Sequence, residues 1–209
     1  NLKQIHFYNN MSGDGGCQAF ADIIRLCSRE LVDIRFSSTR ASREGSLIIA
    51  KALQGLISGH GVEIERLDLA DNSFGIESTR ELCQLLKCCS KLQYLDLRDC
   101  LLGDDGFKIL VNALLESSCD LQYFDVSAND LTKDVSHDIR SLLKHNPNLS
   151  VFRAEENELQ SQGIACIVKS ISGSVTKLHL GANECGSAGA KAVIEAKSRL
   201  PQLTSLGLD

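Results

Sequence analysis

Three aspartates, Asp68, Asp96 and Asp125, recur 28 and 29 residues apart, and each follows an apolar residue in a short run such as LDL or FDV. If that interval is structural, the three carboxylates stand side by side about 5 Å apart, the spacing of neighbouring strands. Like charges directly opposed on a sheet repel, so such a row points to a negative surface that meets a basic partner. Other chemistry is harder to find. Asp71-Asn72-Ser73 has the opening of a calcium loop, but the glycine and closing glutamate are misplaced. His6, His60, His137, His145 and His179 show no ligand spacing with Cys or carboxylates, so no metal is expected. Gly13-Asp14-Gly15-Gly16 lacks the Lys and Ser/Thr of a phosphate loop, and no Ser or Cys lies in a nucleophile motif. These residues imply no cofactor and no catalytic site of the chain's own.

The elements that position the aspartates are read from Leu92 to Gly106, LQYLDLRDCLLGDDG. Leu92, Leu95 and Leu97 occupy positions one, four and six, Cys100 position nine and Leu102 position eleven, the signature of a leucine-rich repeat. Further copies start at Leu2, Ile64, Leu121, Leu149 and Val175, a looser one at Leu31, and an eighth at Leu203 is cut off at Asp209. The intervals are 29, 33, 28, 29, 28, 26 and 28 residues, long enough for a strand and a full helix in each unit. Position nine is Asn in five of the seven complete repeats (Asn10, Asn72, Asn129, Asn157, Asn183) and Thr39 or Cys100 in the others. A buried amide there can bond the backbone of the next turn. Gly16, Gly45, Gly106, Gly163 and Gly189 recur at position fifteen, where a tight turn into the helix is expected. Helical spacing follows, as in Phe20, Ile23 and Ile24, or Phe107, Leu110 and Leu114. The fold expected is an α/β solenoid of seven to eight repeats of 28–29 residues, a parallel sheet inside and helices outside, forming a single domain over 1–209. The 33-residue interval predicts a loop insertion at Leu56–Val62. The chain opens on Asn1 and both ends fall on strands, so a missing cap or further repeats are expected on the N-terminal side.

Composition fits this. The 209 residues are 43% hydrophobic and 23% charged, with a net charge of −5, a balance that argues against a nucleic-acid partner. No apolar run reaches the roughly 18 residues of a membrane span. The nine cysteines are odd in number and lack paired spacing, which favours free buried thiols and a cytoplasmic location.

The positions facing out of the sheet are the third, fifth, seventh and eighth. The fifth-position row runs His6, Arg35, Asp68, Asp96, Asp125, Arg153, His179. Asp71 and Asp99 at position eight, with Glu155 and Glu156, extend the acidic ridge; Tyr94 and Tyr123 flank it, and Arg66 and Arg98 offer partial neutralisation. This concave surface is the expected partner-binding face of a monomer.

FYNNMSGDGG (7–16), FSSTRASREG (36–45), LDLRDCLLGDDG (95–106), SANDL (127–131) and ENEL (156–159) resemble, in order, consecutive repeats of the Ran GTPase-activating proteins, most of all the plant-type members. The resemblance implies an activator that binds GTP-loaded Ran in nucleocytoplasmic transport, in the cytoplasm or at the nuclear envelope. In that family an Asn on an early repeat orients the GTPase's own glutamine, so the activator is not itself an enzyme. By repeat order this chain begins one unit after the one bearing that Asn and its companion Arg. Asn9, at the outward eighth position, is the remaining weak candidate, while Asn10 reads as a buried ladder Asn. The same long repeat also builds protein-binding scaffolds such as the sensor arrays of intracellular immune receptors and ribonuclease-inhibitor-like proteins.

Overall fold

The computed structural model describes residues 2–26, 31–58 and 64–208. Strand and helix alternate throughout: β1 (Gln4–Tyr8), α1 (Gly13–Leu26), β2 (Asp33–Ser37), α2 (Arg43–Gln54), β3 (Arg66–Asp68), α3 (Gly75–Leu86), β4 (Tyr94–Asp96), α4 (Gly103–Glu116), β5 (Tyr123–Asp125), α5 (Ser136–His145), β6 (Val151–Arg153), α6 (Gln160–Ser170), β7 (Lys177–His179), α7 (Gly186–Ala196) and β8 (Ser205–Gly207). The strands form one parallel sheet in sequence order, β1 to β8. The fold is therefore the expected leucine-rich repeat solenoid. Of the Leu56–Val62 insertion, Leu56 to Ser58 belong to a 3-10 turn, Gly55–Ser58; the remainder lies outside the described residues, as does Cys27. No described helix is long and apolar enough to cross a membrane.

The repeat register holds at every strand. Position four pairs Ile34, Leu67, Leu95, Phe124, Phe152 and Leu178 in one row, all fully buried. Each such side chain contributes about 1.5–3 kcal/mol by leaving water. The ladder at position nine also forms. Asn129 donates from Nδ2 to the carbonyls of Leu97 (2.8 Å) and Ser127 (2.9 Å), and its Oδ1 accepts from the N–H groups of Cys100 (3.1 Å) and Leu102 (3.2 Å). Asn157 likewise holds the N–H groups of Asn129 and Leu131. Gripping both flanking amides turns the residue between them outward, and Leu101 and Asp130 accordingly adopt the left-handed conformation (φ 55° for both). Asn10 departs from expectation. It makes the local bond to the Tyr8 carbonyl (3.1 Å) but is exposed, because no described repeat packs on its outer side.

The glycine reading needs correction. The turn into the helix is at position twelve, where Gly13, Gly75, Gly103 and Gly186 have φ between 55° and 60°. In two repeats that position is instead a side-chain cap tied to the preceding helix: Ser42 Oγ donates to Asp14 (2.7 Å) and Thr132 Oγ1 to Asp104 (2.6 Å). The position-fifteen glycines sit in the first turn of their helices and are needed for close packing. A Cβ on Gly189 would lie 2.8 Å from Cys185 Sγ, and one on Gly163 2.9 Å from Leu159 Cβ. Ile23, expected in the core, is 43% exposed on the outer face of α1.

Candidate functional site

Parallel pairing brings Asp68, Asp96 and Asp125 directly opposite one another on β3, β4 and β5, with Arg35 beyond one end of the row and Arg153 beyond the other. The expectation of an exposed acidic row is corrected: Asp68 is 3% exposed, Asp96 9% and Asp125 2%. The cause is local. As the chain leaves each strand the carboxylate turns back to accept the N–H two residues on, from Ala70 (3.3 Å), Arg98 (3.1 Å) and Ser127 (2.9 Å). Aspartate at this position thus ends the strand and satisfies a backbone donor. Longer neighbours then close over it.

Those neighbours also neutralise the ends of the row. Arg35 Nε lies 2.9 Å from Asp68 and Arg153 Nε 3.3 Å from Asp125. The middle carboxylate, Asp96, has no cation within ion-pair distance among the described residues; its remaining contact is the hydroxyl of Tyr94 (3.3 Å). Burial first, and then the negative charge of Asp125, push its pKa up to about 6. Burial also raises Asp68. Tyr123 donates to Asp125 (3.2 Å), and both tyrosine hydroxyls are pushed up by burial and then by the carboxylates beneath them, so they remain neutral donors.

What the concave face displays is therefore a layer of tyrosine and arginine. Tyr94 and Tyr123 stack at 4.1 Å with their planes 8° apart, and the Arg66 guanidinium lies 3.5 Å from the centre of the Tyr94 ring. All three are half-buried. Arg35 covers Tyr8 in the same way, at 3.9 Å. Around this platform Asp71 accepts from Arg98 (2.6 Å) and Ser38 (2.5 Å), and Arg153 bonds Glu155 (2.6 Å). Asp99 and Glu156 are exposed and lie at the rim. Asn9 has φ 54°, as does every position-eight residue in the seven complete repeats within a few degrees, so its residue type suits a backbone requirement. The neutralising part played by Arg35 was not foreseen; its place in the row beside Asp68 was the available signal.

No group of three or more His, Cys, Asp or Glu that could hold a metal occurs among the described residues. All eight described cysteines are free, and burial pushes the thiols of Cys83 and Cys89 up to about 12, far from a reactive thiolate. The face offers stacked aromatic rings and guanidinium groups at its surface.

Comparison with known proteins agrees with the fold. A family model described as Leucine Rich repeat matches residues 88–108, which contain the repeat read first in the sequence. The chain is 25% identical over 240 residues to the NACHT, LRR and PYD domains-containing protein 12 of Mus musculus, covering 97% of this chain and 22% of that protein. It is 27% identical over 136 residues to the ribonuclease inhibitor of Sus scrofa, covering 65% of this chain and 30% of that protein. The chain thus spans less than a third of either relative. Among solved structures, the tropomodulin C-terminal domain of Caenorhabditis elegans gives a TM-score of 0.45 at 16% identity, over 51% of this chain and 66% of that one. Period, register, buried asparagine ladder and the match at residues 88–108 agree on one fold, a leucine-rich repeat solenoid.

Proposed function

We propose that this chain is a protein-recognition array of the kind carried by intracellular immune sensors and ribonuclease inhibitors, with the concave face as its contact surface and no reaction of its own. The observation that carries the reading is the Arg66–Tyr94–Tyr123 stack. Stacked tyrosines and arginine, half-exposed and held against one another over a hydrogen-bonded polar layer, have the composition and preorganisation of an interface hot spot. The free cysteines suit a reducing, cytoplasmic setting. The test is affinity capture from cells of the source organism, using the chain and a Tyr94→Ala/Tyr123→Ala variant with an unchanged melting temperature. A partner held by the first and lost by the second supports the reading; equal recovery refutes it.

A second reading, activation of the GTPase Ran, is favoured by the ordered motifs from FYNNMSGDGG to ENEL. Much of their content has a structural explanation, since Asn9, Asn10, Asp99 and Cys100 fill backbone positions that every repeat must fill. The sequence likeness to NACHT and ribonuclease-inhibitor proteins favours the first reading. Single-turnover GTP hydrolysis by purified Ran decides between them. Stimulation by this chain establishes the second reading; an unchanged rate, with no binding to GTP-loaded Ran, removes it.

A further inference from the structure

The edge of the solenoid where the strands hand over to the helices has a feature separate from the concave platform. Leu101 is held in the left-handed conformation (φ 55°), which side chains larger than Gly, Asn or Asp avoid, and its apolar side chain is 42% exposed. Its equivalents in the same conformation are polar: Arg40, Asp130 and Glu184. The Asn129 amide holds Leu101 in this conformation by accepting from the N–H groups on either side, at Cys100 and Leu102. The backbone would accept a polar residue here, yet an apolar one is presented to solvent.

Two grooves meet at this side chain. One, of about 610 Å³, runs over the entries to α3 and α4, where Phe74, Ile76 and Leu102 join Leu101 in an apolar floor. The other, of about 340 Å³, lies toward the concave rim and is lined by Ala41, Ser73 and Leu101 among others. Ile76 is itself 37% exposed. The walls are predominantly acidic. Asp71 and Asp99 line the smaller groove, and Glu77, Asp104, Asp105 and Asp130 the larger; Arg40 and Arg43 are the basic residues present. Asp71 is held by Arg98, and Asp104 by Thr132. The side chains of Asp99, Asp105, Asp130 and Glu77 have no hydrogen-bond or ion-pair partner among the described residues. An apolar floor with free carboxylates around it complements one kind of ligand: an apolar anchor with cations on either side.

We propose that the edge groove centred on Leu101 docks an extended segment of a partner protein that presents an apolar side chain flanked by arginine or lysine. This surface is distinct from the tyrosine platform, and the proposal stands whether or not that platform binds.

The test uses the whole chain and a random-peptide phage library, followed by fluorescence anisotropy of the enriched peptides. Enriched sequences are expected to carry an apolar residue within a few positions of Arg or Lys. Leu101→Asn keeps a residue that tolerates the left-handed backbone and removes the apolar contact. It is expected to weaken binding about tenfold or more, the scale of a hot-spot truncation. Asp130→Lys, at an exposed side chain, should weaken the same peptides several-fold without touching the core. Tyr94→Ala/Tyr123→Ala should leave them unchanged. Failure to enrich any peptide, enrichment of acidic or purely apolar peptides, or full binding by either edge variant overturns the proposal. Loss through the tyrosine variant with retention by the edge variants overturns it too, and assigns peptide binding to the concave face.

Discussion

Replacing Asp96 by Asn should stabilise this protein at neutral and alkaline pH and leave it unchanged in mild acid. Asp96 is buried between two other carboxylates, whose outer neighbours Arg35 and Arg153 neutralise only the ends of the row. Burial, then Asp125, raises its pKa from 3.8 to about 6. The folded chain holds this proton more tightly than the unfolded chain. The stabilising contribution is therefore complete below the unfolded pKa, near 4, and is lost as pH rises through about 6. Each tenfold change in proton affinity corresponds to about 1.4 kcal/mol, so the native chain gives up about 3 kcal/mol between roughly pH 4 and pH 8. Asparagine cannot ionise, and its amide oxygen can still accept the Arg98 N–H that the carboxylate accepts at 3.1 Å. The variant should match the native chain near pH 4 and exceed it by about 2–3 kcal/mol near pH 8. Urea denaturation of both proteins across that range, with unchanged m-values, measures the difference. A variant that is less stable at high pH, or a difference that does not change with pH, would show that the middle carboxylate is not strained by its neighbours.

Asn129→Ala leaves the N–H groups of Cys100 and Leu102 and the Leu97 carbonyl without their side-chain partner, and should cost about 3–5 kcal/mol, read as a lowered urea midpoint and faster amide exchange at Cys100 and Leu102. Gly189→Ala drives a methyl to 2.8 Å from Cys185 Sγ and 3.4 Å from the Ser161 backbone, and is expected to lower stability by about 1–3 kcal/mol through overpacking. Gly103→Ala meets nothing within 4 Å but is forced to φ 58°; it should cost about 1 kcal/mol with no change in neighbouring side-chain spectra.

These variants separate what the sequence states from what it conceals. The row Leu92, Leu95, Leu97 and the ladder Asn72, Asn129, Asn157 and Asn183 were legible, because period and residue type are both dictated by burial within one repeat. The depth of the aspartates was not. A strand's alternation assigns Asp96 to the concave face, but not how far Tyr94, Arg35 and Arg153 lie down over their neighbours across the sheet. Nor does it say that an Asx turn draws the carboxylate toward the Arg98 N–H. The glycines failed for a related reason. Gly103 and Gly106 stand three residues apart at one helix entry, and only backbone dihedrals show that the first supplies the turn and the second the close approach. In sequence Leu101 is one more apolar residue in a leucine-rich run, and its outward turn shows only in the backbone dihedral, held by an amide from the following repeat.

The placement of charge separates the two surfaces in a measurable way. On the concave face the aspartates are buried and the ends of their row are matched by Arg35 and Arg153, so the display is chiefly of tyrosine and arginine. Binding there draws on stacking and burial, which salt screens little. At the edge, Asp99, Asp105, Asp130 and Glu77 are exposed and unmatched, and the net charge of −5 has its local expression beside Leu101. A cationic segment docked there would lose most of its charge attraction between roughly 0.02 and 0.5 M salt, as the screening length falls from about 20 Å to about 4 Å. A partner lost through Tyr94→Ala/Tyr123→Ala should therefore hold its affinity in salt, and one lost through Leu101→Asn should not. The reverse pattern would mean that the buried aspartates are felt through the tyrosine layer, and that the concave face is acidic in effect even though its carboxylates are covered.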